Sequence, residues 1–334
     1  MILAGDVGGT KVNLALFEIQ GDDLTLVVKH QFKSADFSSL EHLILAFQEK
    51  VSFENITAVC LGIAGAVIEG ECKATNLPWT ISVKKLQKLF KIESVKLIND
   101  LEATAFGMLY LKDEAFVQLN PKAVASKGNR AVIAAGTGLG EGMLFYDGKH
   151  FHPIASEGGH TDFAPLNPQQ DELLKWLRVH FPEHVSYERL VSGMGIHIIY
   201  KFLVEQNFAP EPQQMLTRSL HEDPSATISH CALRENDPLC LETLKLFCAI
   251  YGAEAGNLAL KSMALGGVYI GGGIAAKILP LLQESDFMET FSAKGRFREM
   301  LETLEVKVAL NPETALLGAA HYAKERLLWS SLSS

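Results

Sequence analysis

The sequence predicts an α/β protein built as two related halves, and three observations carry that reading. At 334 residues and 48% hydrophobic content, the chain is too long for the usual single domain and apolar enough to fill real cores. Apolar strand-like runs alternate with helical stretches, the pattern of mostly parallel sheets covered by helices. A strand, a glycine-rich turn and a hairpin occur twice, near residues 2–19 and 131–146.

Residues 2–8 (ILAGDVG) form the first strand and run into a glycine turn; 12–19 and 24–32 follow as a meander broken at Gly21-Asp22-Asp23. A helix is expected over about 40–51, and AVCLGIAGAV at 58–67 reads as a buried strand with a glycine-rich end. A helix over 82–90 leads to the strand VKLIND at 95–100, with the next helix expected near Glu102. The pattern restarts at 129–151, where Asp147-Gly148 supplies a hairpin turn. From Asp171 to about Leu260 the periodicity is helical, broken by Pro210, Pro212, Pro224 and Pro238. GGVYIGGG at 266–273 is a strand and turn leading into a helix, and 301–310 holds a late strand. A last helix, expected over about 313–328, opens at Asn311-Pro312, an amide cap followed by proline. Two halves arranged in this way predict a cleft, where small ligands usually bind.

Composition narrows the function. With 30 Lys and Arg against 39 Asp and Glu, the formal charge is −9, which argues against a nucleic-acid or anionic-membrane partner. The most apolar stretch, Met263–Ala276, has 14 residues and five glycines, too few for a span. The opening MILAGDVGGTKVN has no basic segment of a secretory signal. The five scattered cysteines favour a reducing compartment, so a cytoplasmic protein is expected. His150, His152 and His160 lie close together but have no cysteine near them and no H-E-x-x-H, so no zinc is expected.

Three glycine turns at strand ends mark a site: Gly5-Asp6-Val7-Gly8-Gly9-Thr10-Lys11, Gly136-Thr137-Gly138-Leu139-Gly140 and Gly271-Gly272-Gly273. Successive amides in such turns make an anion nest, and Thr10 and Thr137 add hydroxyl donors. This is neither a Walker A, since no G-x-x-x-x-G-K-[ST] occurs, nor a dinucleotide fingerprint, since the third glycine of that motif would fall at Glu141. Asp6, at a strand end beside a glycine turn, can hold magnesium or cap the turn. Asp100, at the mouth of a buried strand beside Asn99, can act as general base or as a helix N-cap. Glu157 and His160, separated by two glycines, can face one ligand. Glu188 suits a ligand contact or a solvated helix face, and Asn76 a sugar diol or a plain turn.

The segments GDVGGTKVNLAL (5–16), LGIAGAV (61–67), ATNLPW (74–79), LINDLEATAFG (97–107), AAGTGLGEG (134–142), SEGGHTDFAP (156–165), YERLVSGMGI (187–196) and GGVYIGGGIAAKILP (266–280) together resemble the bacterial glucokinase family. These are hexokinase-like kinases of the actin-type ATPase fold. The resemblance implies a two-domain, ribonuclease H-like architecture with a cleft between a small and a larger domain. The small domain would take 1–110, completed by about 301–334, and the larger one 111–300. It implies transfer of the γ-phosphoryl of ATP to the 6-hydroxyl of glucose. Asp100 would be the catalytic base, with Asn76, Asn99, Glu157, His160 and Glu188 on the sugar. Asp6, Gly8, Gly9, Thr10, Thr137 and Gly138 would serve the phosphates and Mg2+, and Gly271–Gly273 the adenosine side. A homodimer is the family expectation. Related repressor-type kinases carry a cysteine-rich zinc motif after the sugar-binding histidine; no such cysteines follow His160, and the first strand begins at residue 2 with no helix-turn-helix ahead of it. The alternatives are a kinase of the same fold acting on another hexose or amino sugar, and a non-catalytic sugar sensor.

Overall fold

Alternating apolar residues at the N-terminus build a five-stranded sheet in the computed structural model, which describes residues 1–21, 23–52, 55–74, 77–218 and 223–328. Its strands are β1 (Ile2–Val7), β2 (Lys11–Gln20), β3 (Asp23–Lys33), β4 (Ala58–Ile63) and, later in the chain, β8 (Val95–Asn99), in the order β3-β2-β1-β4-β8. The β1, β2 and β3 meander is antiparallel, whereas β1, β4 and β8 run parallel. The parallel strands are sealed on both faces, as their unbroken apolar runs require. One face packs Leu43, Ile44 and Phe47 of the helix Leu40–Lys50. The other packs Leu316, Ala319 and Ala320 of the helix Thr314–Tyr322.

The predicted strand 58–67 ends early, at Ile63. Beyond Gly65, at φ 145°, the chain turns into a separate three-stranded sheet of β5 (Val67–Ile68), β6 (Glu71–Lys73) and β7 (Thr80–Ser82). Asp100 is the first residue of the helix Asp100–Gly107, and the cap is Asn99. The expected start near Glu102 is therefore two residues late, because the Asn99 side chain and Glu102 close a capping box around Asp100.

A second sheet of six strands has the order β12-β11-β10-β13-β14-β9. Its members are β9 (Phe116–Gln118), β10 (Arg130–Ala135), β11 (Leu139–Tyr146), β12 (Phe151–Ser156), β13 (Val268–Gly271) and β14 (Val306–Ala309). Helices Pro168–His180, Gly193–Glu205, Pro224–Glu235 and Pro238–Ser262 supply most of the core beside it. Three of them open on proline at the first turn behind an Asn or Asp cap, at Asn167, Asp223 and Asp237.

The chain divides into two compact units. One comprises Met1–Asp113, Pro153–Ala155 and the segment from Asn311 onward; the other comprises Glu114–His152 and Ser156–Leu310. The return to the first unit falls later than residue 301, because β14 pairs with β13 and β9 inside the second sheet. The last helix begins at Thr314; Asn311 sits ahead of it, its side chain accepting from Glu313 N at 2.9 Å.

Candidate active site

In the first unit the polar residues collect where the parallel strands end. Asp6 is the penultimate residue of β1, level with Gly62 of β4, which is level with Ile98 of β8. Asp100 lies just past the same end of β8, so the two acids stand two strands apart, about 10 Å by sheet spacing. Asp6 Oδ2 accepts from Asn13 Nδ2 at 3.2 Å across the hairpin. Burial raises its pKa; the Asn13 bond and the charge of Lys11 pull the other way. No cation among the described residues forms an ion pair with this desolvated carboxylate, and a divalent cation beside it would offset the burial cost. Among the described residues no group of three His, Cys, Asp or Glu could cage a metal, so the donor set suits an ion held mostly by phosphate oxygens and water.

The turn between β1 and β2 is held from behind. Gly8 N–H donates to Lys11 O at 3.0 Å, Ser34 Oγ donates to Gly8 O at 2.9 Å, and Ser34 N–H donates to Thr10 O at 3.1 Å. These bonds fix the carbonyls inward and leave Gly9 and the exposed Thr10 at the tip. Asn99 Oδ1 accepts from Leu101 N–H at 2.8 Å, its Nδ2 donates to Gly65 O at 3.2 Å, and its own N–H donates to Glu102 Oε2 at 3.0 Å. Asp100 Oδ1 accepts from Leu101 N–H at 2.9 Å. The carboxyl is half-buried at a helix N-terminus, where the dipole favours negative charge. Its charge is felt by Cys72 of β6, whose thiol pKa is raised first by burial and then by Asp100. Asn76, one of the expected sugar contacts, lies outside the described residues.

In the second unit, β10 and β13 are adjacent and parallel, with Ala134 opposite Gly271, so their two glycine turns share one edge. Gly136 N–H donates to Gly138 O at 2.8 Å, and Gly136 O accepts from Gly193 N–H at 2.8 Å, which places the start of the helix Gly193–Glu205 against the turn. Thr137 is exposed at its tip. Gly272 has φ +83°, and a Cβ there would collide with the Ala135 carbonyl. Only glycine lets the β13 turn lie this close to the end of β10.

The loop 157–160 and the short helix Tyr187–Arg189 meet over β11. Glu188 Oε2 accepts from Leu139 N–H at 2.9 Å, and a Cβ on Gly138 would strike that oxygen. His160 Nε2 lies 3.9 Å from Glu188 Oε1, with side-chain exposures of 59% and 32%. The two segments are tied by Tyr187 N–H donating to Thr161 O at 3.0 Å and Phe163 N–H donating to Val185 O at 2.9 Å. Glu157 is exposed at the start of the turn, and its carbonyl accepts from His160 N–H at 3.0 Å. Thus Glu157, His160, Glu188 and Gly138 come together in one unit, and Asp6, Gly8, Gly9, Thr10, Asn99 and Asp100 at one sheet edge in the other. Of the remaining histidines in the sequence cluster, His152 pairs with Asp147 at 2.7 Å and closes the hairpin turn.

Sequence reasoning passed over Glu141 and Glu254, which are 1% and 0% exposed beneath the 157–160 loop. The signal was present in the alternation of β11, which puts Glu141 on the same inward face as Leu139 and Met143.

The chain matches the family model described as Glucokinase over residues 3–326. A Nostoc punctiforme protein described as glucokinase is 40% identical over 333 residues, covering 96% of this chain and 98% of the relative. The crystal structure of a glucokinase from an Antarctic psychrotroph superposes with TM-score 0.85 at 33% identity, covering 97% of this chain and 98% of that one. A ROK family glucokinase from Streptomyces griseus, solved with glucose and AMPPNP, shares the fold at TM-score 0.65 and 19% identity, covering 97% and 99%.

Proposed function

The chain belongs to the glucokinase family, an ATP-dependent hexose kinase of the actin-like ATPase fold, and from that premise we propose how its residues divide the reaction. The substrate is glucose, phosphorylated on its 6-hydroxyl to glucose 6-phosphate with release of ADP. The observation that carries the reading is the placement of Asp100. It is a half-buried carboxylate at the end of a parallel strand, and Asn99 rather than Asp100 takes the capping role. In the proposed reaction Asp100 accepts the proton of the attacking hydroxyl, whose oxygen then forms the new bond to the γ-phosphorus as the bond to ADP breaks.

Asn99, Asn76, Glu157, His160 and Glu188 hold the sugar hydroxyls. Carboxylates suit this work because charge-assisted hydrogen bonds to hydroxyls are strong and directional. The turns at Gly8–Thr10 and Thr137–Gly138 present amides and threonine hydroxyls to the phosphates, and Gly271–Gly273 borders the adenosine side. Asp6 would hold Mg2+, directly or through water. When bound, that ion neutralises charge on the transferring phosphoryl. The two compact units serve as the small and large domains of the kinase. Among the described residues no helix is long and apolar enough to cross a membrane. The proposed setting is the cytoplasm, where the buried free cysteines would stay reduced and the product would enter glycolysis, with the protein acting as a homodimer.

Coupled ADP release on glucose, mannose, fructose and N-acetylglucosamine, with and without Mg2+, tests this. Glucose is expected to give the highest kcat/KM, with turnover dependent on Mg2+. Higher kcat/KM on another sugar would reassign the substrate, and absence of turnover on all four would point to the sensor alternative.

A further inference from the structure

The loop proposed to hold the sugar rests on a pair of buried acids. Glu141 points from β11 at Gly158, where a Cβ would collide with its Oε2, and neighbouring Gly159 lies against the Leu139 carbonyl. The two glycines of the Glu157–His160 segment are therefore a close-approach surface fitted to the strand and to this side chain. Glu141 Oε1 is buried and finds no donor among the described residues. Its neighbour is Glu254, on the helix Pro238–Ser262, which accepts from Asn257 Nδ2 at 2.8 Å and from Lys261 Nζ at 3.2 Å. The phenol of Tyr187 accepts from Asn257 Nδ2 at 3.1 Å and also bonds Glu254; burial and then the charge of Glu254 push it up to about 12, so it stays a donor. Lys294 Nζ joins this network by donating to Asn257 Oδ1 at 2.7 Å. One network therefore touches both segments that carry the sugar contacts, the 157–160 turn and the Tyr187–Arg189 helix.

Resting on the sugar-site reading above, we propose that Glu141 is a positioning residue for glucose: as a neutral carboxyl it donates its proton to Glu254, and this bond supports the Gly158–Gly159 turn and the Tyr187–Glu188 segment in sugar-binding geometry. Two carboxylates this close and this buried cannot both ionise without strong repulsion. Loss of the proton sets two acceptors against each other under the turn. The groups facing Glu141 and its partner Glu254 are Lys261 and Tyr251 on the long helix, Tyr187 from the short helix and Lys294 beyond the helix Phe287–Ser292. Burial, and then Glu254, raise the Glu141 pKa from 4.5 to about 8, with Lys261 opposing. The proton is thus present at neutral pH and leaves in the alkaline range.

The native chain keeps this proton to about pH 8, whereas the unfolded chain releases it near 4.5. Because the native state binds more protons in that window, the contribution of Glu141 to stability falls as pH rises through it and is fully lost above about 8. Glu141→Gln keeps a donor to Glu254 and has no proton to lose. The experiment measures thermal midpoints and the KM for glucose and for ATP from pH 6 to 9.5 in the wild type, Glu141→Gln and Glu141→Ala. In the wild type the glucose KM is expected to rise above pH 8, by up to about tenfold per unit, with the ATP KM flat. Glu141→Ala should raise the glucose KM at pH 7. Glu141→Gln should restore most of that loss and remove the alkaline rise. The midpoint difference between Glu141→Gln and wild type should grow with pH and level off near 8. If the midpoints behave this way but the alkaline rise in glucose KM survives in Glu141→Gln, the positioning role is overturned while the proton remains. If the titration appears in the ATP KM instead, the sugar-site reading fails, and this inference with it. A midpoint difference independent of pH removes the proton itself.

Discussion

Two hairpins of this chain begin with the same device, a strand followed by a glycine turn, yet they are supported by opposite chemistry. After β1 the turn is four residues wide, Val7 pairing with Val12, and it is braced by backbone and by Ser34. Its acid, Asp6, is answered by an amide, Asn13. After β10 the turn is three residues wide, Ala135 pairing with Leu139, and its brace is the carboxylate of Glu188 on the Leu139 amide. Its acid, Glu141, is answered by another acid, Glu254. The first arrangement leaves a desolvated carboxylate suited to a cation. The second ties the turn to the segments proposed to read the sugar. The same backbone motif is therefore braced by different side chains in the two halves, and those side chains decide what else each turn is tied to.

The comparison can be broken at four points, from the largest expected effect downward. Asp100→Asn removes the proposed proton acceptor from the first unit. It should lower kcat by about 10²- to 10⁴-fold while the amide oxygen still accepts from Leu101, so the thermal midpoint should move little. Turnover near that of the wild type would remove Asp100 as the base. Glu157→Gln acts on the second unit's share. It should lower kcat/KM for glucose by about 10- to 150-fold, the equivalent of roughly 1.5–3 kcal/mol, and leave the ATP KM in place. Steady-state kinetics with each substrate varied in turn would show the reverse pattern if Glu157 served the nucleotide.

The glycines sharpen the contrast within one unit. Gly272→Ala forces a Cβ toward the Ala135 carbonyl at positive φ, so a loss of at least about 1–3 kcal/mol is expected in urea unfolding. Gly136→Ala meets no atom within 4 Å and should stay within about 0.5 kcal/mol. Equal losses at the two positions would mean that the turns are not held as described.

Most of this architecture was legible because it is written in local pattern. The meander, the parallel strands and the long helical stretch follow from periodicity, and proline and glycine mark ends at Pro224, Pro238 and Gly272. The strand at 58–67 was read too long because Ala64–Val67 remains apolar while the backbone turns at Gly65. The late strand carries no mark in its own sequence of its place in the second sheet, where it pairs with the preceding strand β13 and with β9, which is remote in sequence. The glycine turns, Asp6, Asn99 and Asp100 stand out by strand-end position and residue type, and Glu157 and His160 by the two glycines between them, whereas Glu188 reads equally as a solvated helix acid without the family resemblance.

By itself the sequence determined where strands end and which polar groups stand at those ends, because side-chain period, turn chemistry and capping are properties of neighbouring residues. Only the tertiary structure decided which of these end residues meet a distant partner, as Asn99 Nδ2 does in donating to the Gly65 carbonyl. It likewise decided that Glu188 braces the Gly136–Gly138 turn and that Glu141 meets Glu254 across more than a hundred residues of chain. The physical reason is that the cost of burying a carboxylate, and the proton or partner that answers it, depend on which distant groups fold against it.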